Sequence, residues 1–391
     1  MMRIGIVISQ PPGYSETFFN SKIKGLIQNG HNVSLFCQNK TNDFDLCPVH
    51  VAPKKKINKI VQMFAIAYVF LGLLFNLTKV KKFIALEKNR GTSTKTILKK
   101  IYLNAQFFKS NLDWVHFGFA TMALERELVP KAINAKLAVS FRGFDIAIYP
   151  LKHKNCYDLL WEQVDKVHTI SDDLLQLAYG LGLSKEVDFQ KITPAIDTGQ
   201  FKSDDDLMTF DSHTIKILTV ARLHWKKGLI DTLEALHLIK DKGISFSYTI
   251  VGEGDQQEEL YFTIDQLDLN DHVTMLGKRS HDEVKALMAS SHLYIQYSIS
   301  EGFCNAVLEA QAMGLLCIVS DAEGLSENVL DGQTGCVIPK RDPLKLAHTI
   351  QDVIDYPADK KNGLRRNAID RVRDEFNIKK QSEYFDQFYS T

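Results

Sequence analysis

The sequence has little that would staple a small secreted scaffold or address the chain elsewhere. Its six cysteines, Cys37, Cys47, Cys156, Cys304, Cys317 and Cys336, form no CxxC pair, and several sit in apolar runs. They read as reduced core residues of a cytosolic protein, which excludes a disulfide framework and a cysteine metal site. The opening stretch, MMRIGIVISQ, meets Pro11-Pro12 too soon for a signal peptide and reads as a first buried strand. Short repeats and low-complexity tracts are absent, so neither a solenoid nor a disordered chain is expected. Net charge is absent as well, because 47 Lys and Arg balance 47 Asp and Glu.

That balance hides an asymmetry. Residues 1–110 hold 17 basic and 4 acidic side chains (+13), and the remainder holds 30 and 43 (−13). A positive N-terminal part concentrates an anionic partner, whether phospholipid, lipid diphosphate or nucleic acid. The bland alternative is a basic solvated face. No aromatic–basic platform or base-reading motif accompanies the charge, so nucleic acid is not expected. The same part carries one long hydrophobic run, IVQMFAIAYVFLGLLFNL at 60–77. Lys54, Lys55, Lys56 and Lys59 precede it; Lys79, Lys81 and Lys82 follow it. The run reaches the minimum length of a membrane span. Yet Gln62 and Asn76 interrupt it, and lysines at both ends fix no orientation. A span would also strand the first two β-strands across the membrane from their sheet. The expectation is a monotopic segment, residues 54–82, on an anionic bilayer. The alternative is a hydrophobic helix of the N-terminal domain. The expected location is cytoplasmic, peripheral on the inner face of the cell membrane.

At 391 residues the chain suggests two domains of about 150–200 residues each. In the first half, strands are expected at 4–9, 33–37, 112–116, 136–141 and 166–170. A helix from about Ser15 is ended by Gly30, and Ser171 caps another. Residues 1–200 form the N-terminal domain. Polar, acidic residues 201–214 form a linker, and 215–374 form the second domain. There the rhythm is clearer. Strands are expected at 215–221, 245–251, 272–276, 292–297, 316–320 and 335–338. Helices are expected near 228–241, 255–268, 280–289, 304–313 and 342–354. Such a doubly wound domain binds ligands beyond the carboxyl ends of its strands. The tail after Pro357 reads as helical, and a C-terminal helix, 375–391, is expected to rejoin the first domain.

The chemistry concentrates at strand ends. Ser300-Glu301-Gly302-Phe303-Cys304-Asn305 leaves a strand and opens a helix that carries Glu309. The first helical amides lack internal partners and suit a diphosphate. Glu301 and Glu309 can bracket two ends of one extended ligand, or can be an ordinary loop charge and a surface helix residue. Arg222 and Lys227 also lie between a strand and a helix, where cations can neutralise phosphate. Gly252 closes a third strand and permits close backbone approach to a ligand, or only a tight turn.

The ordered set resembles retaining glycosyltransferase family 4. The motif EGF-x-N-x-x-LEA-x-A-x-G runs from Glu301 to Gly314, after ARL-x-x-x-KG and VGEG and before Glu323-Gly324 and Glu327. The resemblance covers nearly the whole chain. It implies an α/β architecture of the GT-B type, two Rossmann-like doubly wound domains facing across a cleft. It places Glu301 beside the donor sugar, Glu309 on the ribose, and Arg222 and Lys227 on the diphosphate. The backbone of Gly302, Phe303, Cys304 and Asn305 would face sugar and phosphate; Gly277 and Arg279 would lie near the nucleobase. The N-terminal half resembles the exopolysaccharide, O-antigen and capsule branch through Ser15-Glu16-Thr17-Phe18, His116-Phe117 and Arg142-Gly143-Phe144-Asp145. Relatives carry a histidine at the Arg142 position, beside the donor sugar. His116 is a second polar candidate, near the acceptor, or else a core histidine.

The implied reaction is that of a retaining hexosyltransferase. It takes sugar from a UDP- or GDP-linked donor and gives it to a glycan or lipid-linked glycan. No covalent nucleophile stands out, and the leaving diphosphate would take the acceptor proton. No metal or other cofactor is implied, and Asp204, Asp205 and Asp206 read as solvated linker charges. A nucleotide-sugar epimerase on the same fold and a non-catalytic sugar-nucleotide or polyanion-binding protein are the competing classes.

Overall fold

A computed structural model describes residues 1–12, 17–39, 44–202 and 214–390. Ser15, Glu16, Asp204, Asp205, Asp206 and most of the 201–214 segment therefore lie outside the described residues. The chain divides into two compact units, Met1–Ile192 with the residues from Gln381 on, and Thr193–Lys380.

Among the described residues the first unit has seven strands: β1 (Arg3–Val7), β2 (Asn32–Cys37), β3 (Val49–Val51), β4 (Trp114–Phe117), β5 (Lys136–Phe141), β6 (Lys166–Thr169) and β7 (Asp188–Lys191). They pair in parallel in the order β3-β2-β1-β4-β5-β6-β7. The central strands are apolar because both faces are covered, and Ile4, Ile6, Val115 and Val139 are buried. Sequence reading missed β3 and β7. Both are sheet edges, short and largely unburied, so they carry no apolar signature. Helix α1 (Thr17–Gln28) follows β1, and Gly30, at φ 83°, supplies the left-handed turn after it. Ser171 does cap its helix, accepting from the amide of Leu174.

The apolar run is not one helix. It forms α2 (Lys59–Leu71), a single tight turn at Leu74–Asn76, and then α3 (Leu77–Asn89). Asn58 caps α2 by accepting from the amides of Ile60 and Val61. Among the described residues no single helix is long and apolar enough to cross a membrane; α2 and the stretch that follows pass that test only as a pair bent by 48°. Only Val69 of α2 is buried. Its partner α4 (Thr94–Leu103) follows α3 and buries Ile97, Ile101 and Tyr102.

The C-terminal helix Ile378–Ser390 packs Phe385, Phe388 and Tyr389 into the core of β1, β2 and α1. A buried polar chain fastens it. His168 Nε2 donates to the Ile192 carbonyl at 2.9 Å, so its Nδ1 accepts from Ser140 at 2.7 Å. Ser140 then accepts from His116 Nε2 at 2.7 Å, and His116 Nδ1 accepts from the Tyr389 hydroxyl at 2.5 Å. One carbonyl thus sets the proton on every member. Burial, and then the charge of Lys22, pushes His116 well below its usual pKa, so it stays neutral.

Among its described residues the second unit has six parallel strands in the order β10-β9-β8-β11-β12-β13. They are β8 (Ile215–Val220), β9 (Phe246–Val251), β10 (Val273–Gly277), β11 (Leu293–Gln296), β12 (Leu316–Ser320) and β13 (Cys336–Ile338). All six expected strands are present: β12 with the expected bounds, β10 shifted by one residue, and the other four shortened by one or two. The order reverses between β8 and β11, which is where such a sheet opens a crevice for ligands. The helix Ala358–Glu375 follows and ends at Phe376, whose carbonyl takes the amide of Ile196 at 2.9 Å.

Phe388 is fully buried against Trp114 and His116. Phe388→Ala should cost about 3–5 kcal/mol. A urea-unfolding curve that coincides with wild type would show that the C-terminal helix adds nothing to this core.

Candidate active site

The site in the second unit forms where the chain leaves β8 and β11. After β8, His224 caps a single turn, Trp225–Lys227, by accepting from the Lys226 amide at 3.3 Å. Gly228 follows at φ 59° and starts the helix Leu229–Asp241. A Cβ on Gly228 would lie 2.0 Å from the Tyr297 carbonyl oxygen. The two loops can touch only because this position has no side chain. The Lys226 carbonyl then accepts the amides of Ile299 and Ser300 at 2.6 and 3.3 Å. These bonds hold the loop after β11 against the loop after β8.

The result is an ion pair between Lys227 and Glu301, both about 15 % exposed. Burial opposes the lysine's charge, but the Glu301 carboxylate outweighs it and raises the Lys227 pKa. Ser298 donates to the same carboxylate oxygen at 3.4 Å. The backbone of Glu301 is fixed too. Its amide donates to Glu323 at 2.5 Å, and its carbonyl accepts from Gly324 at 3.0 Å. Arg222 is exposed on the same loop, and its positive charge acts on Lys227.

Beyond Glu301, Gly302 and Phe303 are buried, and Phe303 packs on Phe376 at 5.7 Å. Its side chain is therefore structural, which leaves only its backbone for a ligand. Cys304 exchanges backbone bonds with the buried Asn328 amide, at 2.9 and 3.1 Å. Burial pushes its thiol to about 12, so it stays neutral at physiological pH. The helix Asn305–Ala312 starts there with no side-chain cap, so its first amides are open to an anion. Glu309 lies on that helix, largely buried, and burial lifts its carboxyl to about 7.

Several expected roles change. A Cβ on Gly252 would lie 1.8 Å from the Ala221 carbonyl oxygen. The close approach there is to the neighbouring strand's backbone, which by itself requires a glycine. Gly277 ends β10, and its carbonyl accepts the Gly252 amide at 3.0 Å, so it shares the sheet edge. The Arg279 guanidinium faces Glu283 at 3.7 Å and donates to the Lys278 carbonyl.

In the first unit, Asp145 is 1 % exposed. It accepts from the amides of Ala120 and Arg142 at 2.9 and 3.0 Å and so ties the segments after β4 and β5 together. Burial raises its pKa against those bonds. It positions backbone; its wholly buried carboxylate cannot reach a substrate. The Arg142 guanidinium lies over the Phe18 ring at 3.9 Å, a cation–π contact where a histidine was the family pattern. His116 is fully buried in the chain of bonds to Tyr389, so the acceptor role is replaced by the core-histidine alternative. Sequence reading gave no role to Glu323 and Asn328. Glu323 stood in a quoted motif, but only its bond to the Glu301 amide shows what it does.

Two doubly wound parallel sheets are the architecture of the GT-B fold class, and the second unit sets a cation, a carboxylate and an open helix start at its switch point. Residues 200–371 match the family described as glycosyl transferases group 1. The chain is 26 % identical over 367 residues to the amylovoran biosynthesis glycosyltransferase AmsK of Erwinia amylovora, covering 88 % of this chain and 89 % of AmsK. The sucrose-phosphate synthase of Thermosynechococcus elongatus has a similar fold, with TM-score 0.75 and 16 % identity, covering 100 % of this chain and 98 % of that one. Anabaena HepE, solved in complex with UDP and glucose, superposes with TM-score 0.73 at 17 % identity, covering 100 % of both chains.

Glu309 gives this site a pH signature. Its folded pKa is raised, from an ordinary 4.5 to about 7. Wild type should therefore lose stability as pH rises through that window, because the unfolded carboxyl gives up its proton first. Glu309→Gln should be more stable by about 1–3 kcal/mol above pH ~7, and the gain should vanish toward pH ~4.5. A pH-independent difference between the two denaturation curves would contradict the assignment.

Proposed function

We propose that this protein is a retaining glycosyltransferase of exopolysaccharide biosynthesis, similar to family 4. It moves a hexosyl group from a nucleoside-diphosphate sugar to a glycan or lipid-linked glycan. The observation that carries this is the Lys227–Glu301 pair beside the open helix start at Asn305. In the structure each charge neutralises the other. When a donor binds, its diphosphate competes for Lys227, which frees Glu301 for a hydroxyl of the sugar. Arg222 and the helix amides complete the diphosphate cradle, and this proposal gives the neutralising role to them, with no metal. Glu309, ionised, accepts from the ribose hydroxyls. UDP is the favoured nucleotide, because HepE was solved with UDP. The polysaccharide acceptor is favoured by the name of AmsK.

The bond between the anomeric carbon and the diphosphate oxygen breaks as the acceptor oxygen attaches on the same face. The acceptor proton passes to the departing diphosphate. The protein supplies orientation and charge.

The acceptor is met at a membrane in this reading, with the protein peripheral on its inner, cytoplasmic face. Phe64, Tyr68, Leu71 and Phe75 are exposed, and lysines flank them. An apolar face of this kind with basic flanks suits an anionic bilayer surface.

Turnover on a panel of UDP- and GDP-sugars with extracted lipid-linked glycan should give labelled glycolipid of retained anomeric configuration. Lys227→Ala and Glu301→Gln should each lower kcat/KM by about 10²–10³-fold. Wild-type turnover in both variants would sink the site. Phe64→Asp with Phe75→Asp should reduce co-sedimentation with anionic vesicles without unfolding the protein. An unchanged bound fraction would refute the membrane part.

A further inference from the structure

Beside the exposed face of α2 lies a concave one. A groove of about 740 Å³ runs between α2 and α4, within the range of small-molecule sites. Its floor is Ile66, Phe70, Leu98, Tyr102 and Leu103. Its rim is Lys55 and Lys56 from the segment before α2, and Lys95 and Lys99 from α4. The floor is overwhelmingly apolar, and among the described residues no carboxylate lines it. The mouth is built rather than accidental. The Tyr102 hydroxyl donates to the Lys54 carbonyl at 3.0 Å, and the Lys56 amide donates to Gln62 at 2.7 Å. These two bonds hold the lysine-bearing strap over the end of the groove.

We propose that this groove binds one phosphate-bearing lipid, with its hydrocarbon chain on the α2–α4 floor and its phosphate between the lysines. Charge selects this occupant. A second copy of the chain would set lysine against lysine. An apolar peptide would leave four ammonium groups with no anion. A nucleic acid would have no use for the apolar floor. Lys99 has one acidic neighbour, Glu125, at 3.6 Å, but both side chains are about half-exposed, and such a pair yields readily to a phosphate. The groove is separate from the convex residues Phe64 and Phe75, which do not line it. This inference rests on the reading of α2 as a bilayer-facing helix, because the lipid would enter from there.

The test uses the full chain and no bilayer. Titration calorimetry with monododecyl phosphate below its critical micelle concentration should give one saturable site per chain. Inorganic phosphate should give none, and dodecyl maltoside should bind more weakly. Leu98→Trp fills the groove at a position 46 % exposed, so the fold is kept. It should weaken dodecyl phosphate by about tenfold, equivalent to returning about two methylene groups to water. Lys95→Glu with Lys99→Glu should weaken dodecyl phosphate by about tenfold and leave dodecyl maltoside unchanged. Phe64→Asp with Phe75→Asp should leave dodecyl phosphate binding intact. Unchanged vesicle binding in that variant, with a saturable groove site, would sink the membrane reading alone; reduced vesicle binding without a saturable groove site in wild type would sink this proposal alone. Non-saturating adsorption of dodecyl phosphate, or binding indifferent to Leu98→Trp, would overturn the proposal.

Discussion

The second unit depends on how two loops meet between β8 and β11. Gly228 lets the loop after β8 press against the Tyr297 carbonyl, and the Lys226 carbonyl then takes two amides from the loop after β11. Once these bonds exist, Lys227 and Glu301 have nowhere to go but toward each other. Their charges are largely buried, so each needs the other. Glu323 and Asn328 hold the far side of the same loop, through the amides of Glu301 and Cys304. The pair stores no chemistry by itself. It keeps one cation and one carboxylate poised at the helix start.

Polar burial has a different purpose in the first unit. The relay from Ile192 through His168, Ser140 and His116 to Tyr389 spends four polar side chains on attaching one helix. Each member is satisfied, so the network selects a single docking arrangement of Ile378–Ser390. Asp145 does similar service between the segments after β4 and β5. Residue types that signal catalysis in a sequence are here engaged in holding backbone and helix in place.

Much of the fold was legible. Apolar runs located every strand buried on both faces, whereas β3 and β7 escaped because edge strands need no such run. The loop glutamate, the helix glutamate and the basic pair were legible as residue types at strand ends. The roles of His116, Asp145 and Gly252 were not, because depth below the surface and proximity of a neighbouring carbonyl are properties of the folded chain. The apolar run at 60–77 was legible as unusual. Its break at Gly72-Leu73 and the groove it forms with α4 were not, since Leu98 and Tyr102 lie some thirty residues further along.

The sequence by itself determined the alternation of strand and helix, the charge asymmetry, and which residues stand at the carboxyl ends of strands. Those follow from local periodicity and composition. Tertiary structure alone decided that Lys227 pairs with Glu301, that Glu323 fixes the glutamate's backbone, and that His116 is sealed in a core. Each of those depends on distance between residues far apart in the chain, and strand order sets that distance where periodicity cannot.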